Sequence, residues 1–114
     1  MKTVVGLSLL LSCAFAPAIH ADQISGRELL AFCTGAEGDA QRRYCDGYIS
    51  AALETHATWA LWGRLERVFC FPKGNKFDFA LGAVVAYLET HPQELDFEAS
   101  SLVLNALNRA HPCE

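Results

Sequence analysis

The sequence is short of positive charge. Nine Lys and Arg stand against thirteen Asp and Glu, a net −4 at pH 7. That balance argues against a nucleic-acid binder, which needs clustered cations to meet phosphates. No C-x-x-C pair is present, so neither a thioredoxin-type redox centre, a zinc ribbon nor covalent haem attachment is indicated. A glycine-rich phosphate loop, a nucleophile elbow and an H-E-x-x-H pair are also missing, which leaves the familiar enzyme signatures unrepresented. No apolar run reaches the roughly 20 residues that a membrane-spanning helix requires. No stretch alternates with period two, so strands are not expected. What the chain does have is 114 residues, 52% of them apolar and 19% charged. This is too apolar for a disordered chain and long enough for a single domain. Cysteine is abundant, at five residues, and the odd number leaves one unpaired.

The N-terminus accounts for the odd cysteine. Lys2 supplies one positive charge, Val4 to Phe15 is apolar apart from Gly6, two serines and Cys13, and an alanine-rich exit follows. This order reads as a secretory signal peptide covering residues 1–21, cleaved after Ala21, with Ala18 as the alternative. Leu10-Leu11-Ser12-Cys13 also has the form of a lipobox, which would acylate Cys13. The short apolar run before it favours an ordinary cysteine inside the signal. Residues 22–114 then form the mature domain, with eight basic and thirteen acidic residues, a net −5. Four cysteines remain, Cys33, Cys45, Cys70 and Cys113, an even count that reads as a disulfide framework in an exported chain.

The mature segment reads as helices. Ser25-Gly26-Arg27-Glu28 has the form of a capping box ahead of Leu29, Leu30, Phe32 and Cys33, and a first helix ends near Gly35. Asp39 is placed to cap a second helix with a stripe of Tyr44, Cys45, Tyr48, Ile49, Ala52 and Leu53. From Thr55 to Phe71 the pattern blurs, either continuing that helix or turning around Gly63. Phe71-Pro72-Lys73-Gly74-Asn75 is a break. Asn75 caps a third helix, Lys76 to Thr90, which His91-Pro92 ends. Asp96 is the expected cap of a fourth helix carrying Leu102, Val103, Ala106, Leu107 and Ala110, closed by Pro112. The expected fold is all-α: a small single-domain bundle of about four to five helices.

Helix order suggests the cysteine pairing. Short loops make neighbouring helices antiparallel, which brings Cys33 to Cys45 and Cys70 to Cys113. In the chain-entropy model these closures contribute about 3 and about 4 kcal/mol.

Little else carries chemistry. His91 and His111 precede prolines at helix C-termini, where capping of the last carbonyls is a simpler role than metal binding. His56 could pair with Glu54 or a cysteine, yet nothing places a nucleophile beside it. No cofactor or metal is expected. Trp59 and Trp62, with Leu61 between them and Arg64, Glu66 and Arg67 following, form the most partner-like stretch, because Trp and Arg dominate binding hot spots. The competing reading buries both tryptophans in the core. Tyr44 and Tyr48 read as helix-packing residues.

An ordered set of motifs then stands out: Cys45-Asp46-Gly47-Tyr48-Ile49, Phe69-Cys70-Phe71-Pro72-Lys73-Gly74, Val84 through Leu88 to His91-Pro92, and Leu102-Val103 through Ala106-Leu107 to His111-Pro112-Cys113. Over residues 25–113 the chain resembles the Rap/Tai family of immunity proteins, which guard Gram-negative bacteria against type VI secretion amidase effectors. It departs from that pattern at Ala51, where the family usually has glycine, and at Lys76 and Phe79, where it favours Thr and Gln. The resemblance implies a helical periplasmic protein, often a homodimer, that occludes a peptidoglycan amidase and is not itself an enzyme. Two surfaces are candidates for the contact: Trp59 to Arg67, including Trp62, Arg64 and Arg67, and the loop between Cys33 and Cys45 around Gly35 to Asp39. The rival reading is a small periplasmic acid-stress holdase. No nucleic-acid partner, and no membrane contact after signal removal, is expected.

Overall fold

The computed structural model describes residues 22–114; the signal peptide and Cys13 expected from the sequence lie outside the described residues. Among the described residues four α-helices follow in order: α1, Gly26–Cys33; α2, Ala40–Leu61; α3, Lys76–Thr90; and α4, Ala99–Ala110. A 3₁₀ turn at Pro92–Glu94 joins α3 to α4. Among the described residues β-pairing is limited to two isolated antiparallel bridges, Ser25 with Glu98 and Phe69 with Pro112.

The caps largely follow the sequence. The Ser25 side chain accepts from the Glu28 amide, and the Glu28 carboxylate accepts from the Ser25 amide at 2.8 Å. This reciprocal pair satisfies two helix-end donors at once. The bonds from Ser25 also hold the Glu28 carboxyl below its usual range. Asn75 Oδ1 accepts from the Phe77 and Asp78 amides at 3.1 and 3.4 Å, starting α3. Asp39 stands at the N-cap of α2, but its side chain makes no capping bond.

Asp96 is not the cap of α4. Glu98 holds that position, also without a side-chain cap, while Asp96 pairs with Arg27 at 2.9 Å. The reason is tertiary. The extended segment before α1 runs beside the start of α4, and the Ile24 carbonyl accepts from the Ala99 amide at 2.9 Å. In return the first amides of α1, on Gly26 and Arg27, donate to the carbonyls of Phe97 and Leu95 at 2.9 and 2.8 Å. Backbone thus does at both helix starts what a capping side chain would otherwise do. The approach is close enough that a Cβ at Gly26 would meet Leu102 Cδ1, with the Leu95 carbonyl oxygen 3.3 Å away.

One core holds the helices together. Leu29 of α1, Cys45 and Ile49 of α2, Val84 and Leu88 of α3, and Leu102, Val103 and Leu107 of α4 are essentially inaccessible to solvent. Each such aliphatic side chain contributes about 1.5–3 kcal/mol of transfer free energy. Both disulfides pair as helix order suggests: Cys33 to Cys45, with Cα atoms 5.1 Å apart, and Cys70 to Cys113, at 4.9 Å. The second is reinforced where the Cys70 amide donates to the His111 carbonyl at 2.8 Å. The segment before α3 is therefore tied to the C-terminus.

Candidate functional site

The stretch whose pattern blurred resolves into the end of a long helix. α2 runs 22 residues, against 15 for α3. At 1.5 Å per residue it extends about 33 Å, roughly 10 Å further than α3. Its last buried residue is His56. Beyond that point the helix has little to pack against. It stops at Gly63, which takes φ +66°, a left-handed conformation that glycine adopts without steric cost. The Gly63 amide donates to the Ala60 carbonyl at 3.0 Å, and the Arg64 amide donates to the Trp59 carbonyl at 2.9 Å. These two bonds form a Schellman motif, so the helix tip is well defined rather than frayed.

That tip is apolar and uncovered. Trp62 is 64% exposed, Leu61 82% and Trp59 44%. The indole rings of Trp59 and Trp62 meet edge to face at 5.8 Å. Neither tryptophan fills the core. Arg64 and Arg67 follow on the exposed return segment, near the negative end of the α2 dipole where cations are favoured. The structure therefore brings the four sequence-nominated residues, Trp59, Trp62, Arg64 and Arg67, to one end of the molecule. An exposed aromatic cluster rimmed by cations has the composition of a protein-binding surface.

Behind the tip lies a small cleft of about 200 Å³, lined by Leu53, His56, Arg67, Phe69, Phe71 and Lys76, among others. His56 is buried, stacked on Phe69 with ring centroids 4.3 Å apart, and its Nε2 accepts from the Val68 amide at 3.4 Å. That bond joins the return segment to α2. Glu54 lies exposed and all four cysteines of the described chain are bridged, so neither is a free partner buried beside this imidazole. Desolvation, with Arg67 nearby, holds the imidazole below the ordinary histidine range.

The other two histidines divide. His91 Nδ1 lies 2.8 Å from the Tyr87 carbonyl, a C-capping contact at the end of α3, and its ring stacks on Tyr87 at 4.0 Å. The His111 ring is packing rather than capping. It sits edge-on to Phe71 and Phe79, at 5.0 and 5.6 Å, and among the described residues makes no bond to the last carbonyls of α4. Tyr48 packs against the core as expected, but Tyr44 is half exposed, edge-on to Phe32. Among the described residues no three His, Cys, Asp or Glu side chains are grouped as a metal would require, and no helix is long and apolar enough to cross a membrane.

Two further cations near the tip are not among the contact candidates of the sequence. Lys76 enters there as a helix start and a departure from the family pattern, and Lys73 as part of a break and a family motif, yet both lie exposed on the stretch that runs from Arg64 and Arg67 to the start of α3. The signal was present in the crowding of basic residues between positions 64 and 76.

No curated protein and no solved structure matches this chain. Residues 25–113 match the sequence profile of the Rap1a immunity proteins. That span includes all four helices, both disulfides and the exposed tip, and the chain belongs to the Rap1a immunity protein family.

Proposed function

We propose that this protein is a periplasmic immunity protein that binds a peptidoglycan amidase effector of a type VI secretion system and occludes its catalytic cleft. Family membership supports the immunity role. The observation that carries the mode of action is the tip of α2, where Trp59, Leu61 and Trp62 stand exposed on a helix closed by a Schellman turn. A blocking element gains affinity by being ordered before it binds, since less conformational entropy is lost on association. Here the Cys70–Cys113 bridge and the His56–Val68 hydrogen bond anchor the return segment beside that helix. Inhibition by occlusion requires no chemistry from the immunity protein itself. The homodimer implied by the resemblance belongs to the same proposal.

The test is co-purification from a periplasmic extract, followed by peptidoglycan hydrolysis by the recovered amidase. One equivalent of the immunity protein is expected to abolish hydrolysis. Trp62→Ala is expected to weaken binding by roughly 30-fold or more, the loss typical of a central aromatic anchor. Its circular dichroism should be unchanged, because Trp62 is largely solvent-exposed. Undiminished affinity in that variant would move the contact elsewhere, first to the loop between Cys33 and Cys45.

A further inference from the structure

The charge of this protein is unevenly distributed along its chain. Residues 62–76 contain four basic residues, Arg64, Arg67, Lys73 and Lys76, and one acidic residue, Glu66, for a net +3. The rest of residues 22–114 contains four basic and twelve acidic residues, a net −8. An acidic domain thus carries one cationic segment, which begins at Trp62 and directly follows the α2 tip that holds Trp59.

The pairing of the cations is equally uneven. Outside this segment every arginine has an intramolecular partner. Arg27 pairs with Asp96 at 2.9 Å, and Arg42 pairs with Asp46 at 3.1 Å. Arg43 donates to the Gly38 carbonyl, and Arg109 sits 5.4 Å above the Tyr87 ring. Among the described residues Arg64, Arg67, Lys73 and Lys76 make no ion pair, and all four are exposed. Arg67 and Lys76 line the same cleft, over Phe69 and Phe71. The α2 dipole accounts for the nearest of these charges, since its effect fades within one turn.

We propose, resting on the immunity reading above, that this end recognises an acidic protein surface: carboxylates ringing an apolar hollow. Leu61 and Trp62 enter the hollow, and the four cations meet the carboxylates around it. Complementary charge of this kind acts chiefly on the association rate and on partner choice.

The experiment reads the tip directly, because Trp59 and Trp62 are the two tryptophans of the chain. Poly-L-glutamate is titrated into the protein while tryptophan emission is followed, at 0.01 M and at 0.15 M salt. Between these the screening length falls from about 30 to about 8 Å. A saturable emission change is expected at low salt, weakened at least tenfold in affinity at 0.15 M and absent with poly-L-lysine. The fourfold variant Arg64→Glu, Arg67→Glu, Lys73→Glu, Lys76→Glu, with its fold checked by circular dichroism, is expected to lose the response. No saturable response to poly-L-glutamate, an equal response to poly-L-lysine, or full binding by the variant would overturn the inference. So would a response confined to phosphatidylglycerol vesicles, which would reassign the end to a lipid surface. In a second arm, association with the purified amidase is expected to slow about tenfold or more in the same variant. An unchanged rate would sink the acidic-surface inference while leaving amidase inhibition standing. Failure to bind the amidase would instead overturn the proposed function, and the poly-L-glutamate titration would still decide this inference.

Discussion

His56 illustrates how one buried residue ties the site to the core. It stacks on Phe69 and accepts from the Val68 amide, so its neutral form is the one the fold uses. Protonation would replace an acceptor by a second donor and add a cation beside Arg67. Both desolvation and Arg67 lower its pKa in the folded state. Between that lowered value and about 6.5 the unfolded chain therefore binds more protons than the folded one, so stability rises with pH. The contribution is fully present above the unfolded value and is lost as pH falls through this window. Urea unfolding at closely spaced pH values is expected to show this slope, and His56→Gln is expected to flatten it there. An unaltered slope in that variant would assign the pH dependence to other groups.

At the scale of elements, α1 shows how a helix start depends on its neighbours. Its capping box was legible in Ser25 and Glu28, but the docking of its first turn was not. The Gly26 and Arg27 amides reach carbonyls some seventy positions along the chain, and Gly26 lies against Leu102, Leu88 and the Leu95 carbonyl. In an isolated helix Gly→Ala is favourable. Here Gly26→Ala is expected to destabilise by about 1–3 kcal/mol, the usual cost of overpacking. Thermal unfolding would read this as roughly 4–8 °C per kcal/mol in a domain of this size. Gly82→Ala is the control. Nothing lies within 4 Å of the added carbon, so that variant is expected to gain about 0.4–1 kcal/mol. The exposed Arg27–Asp96 pair at the same junction adds little, because its partners are 61% and 83% exposed.

For the whole molecule, the two disulfides do different things. Cys33–Cys45 closes a separation of 12 residues and joins α1 to α2, whereas Cys70–Cys113 closes 43 residues and fastens the return segment to the C-terminus. Chain entropy assigns about 3 and about 4 kcal/mol to them. Cys70→Ser with Cys113→Ser is therefore expected to lower stability by about 4 kcal/mol, measured by denaturant unfolding. Cys33→Ser with Cys45→Ser is expected to cost about 3 kcal/mol. Equal or reversed losses would show that native-state strain or residual denatured structure, rather than loop length, controls the effect. The larger closure also holds the segment carrying Arg67, Phe69 and Lys76, so the cationic end inherits its order from that bridge.

The sequence alone determined the helical class, most helix boundaries, the cysteine pairing and the family likeness. These rest on local signals: Ser25 with Glu28, Asn75, His91-Pro92 and Pro112 all act on backbone within a few residues. Helical periodicity also assigns residues to a face. It does not say whether another element covers that face. Whether Trp59 and Trp62 are core or surface was undecidable from spacing, because the answer depends on α2 outreaching the helices beside it. The same holds for Asp96, whose capping role passed to a carbonyl from before α1, and for His111, enclosed by aromatic rings from the segment before α3 and from α3 itself. Only the tertiary structure decided which aromatic residues face solvent and which cations go unpaired. Exposure and pairing are properties of neighbours that lie far apart in the chain.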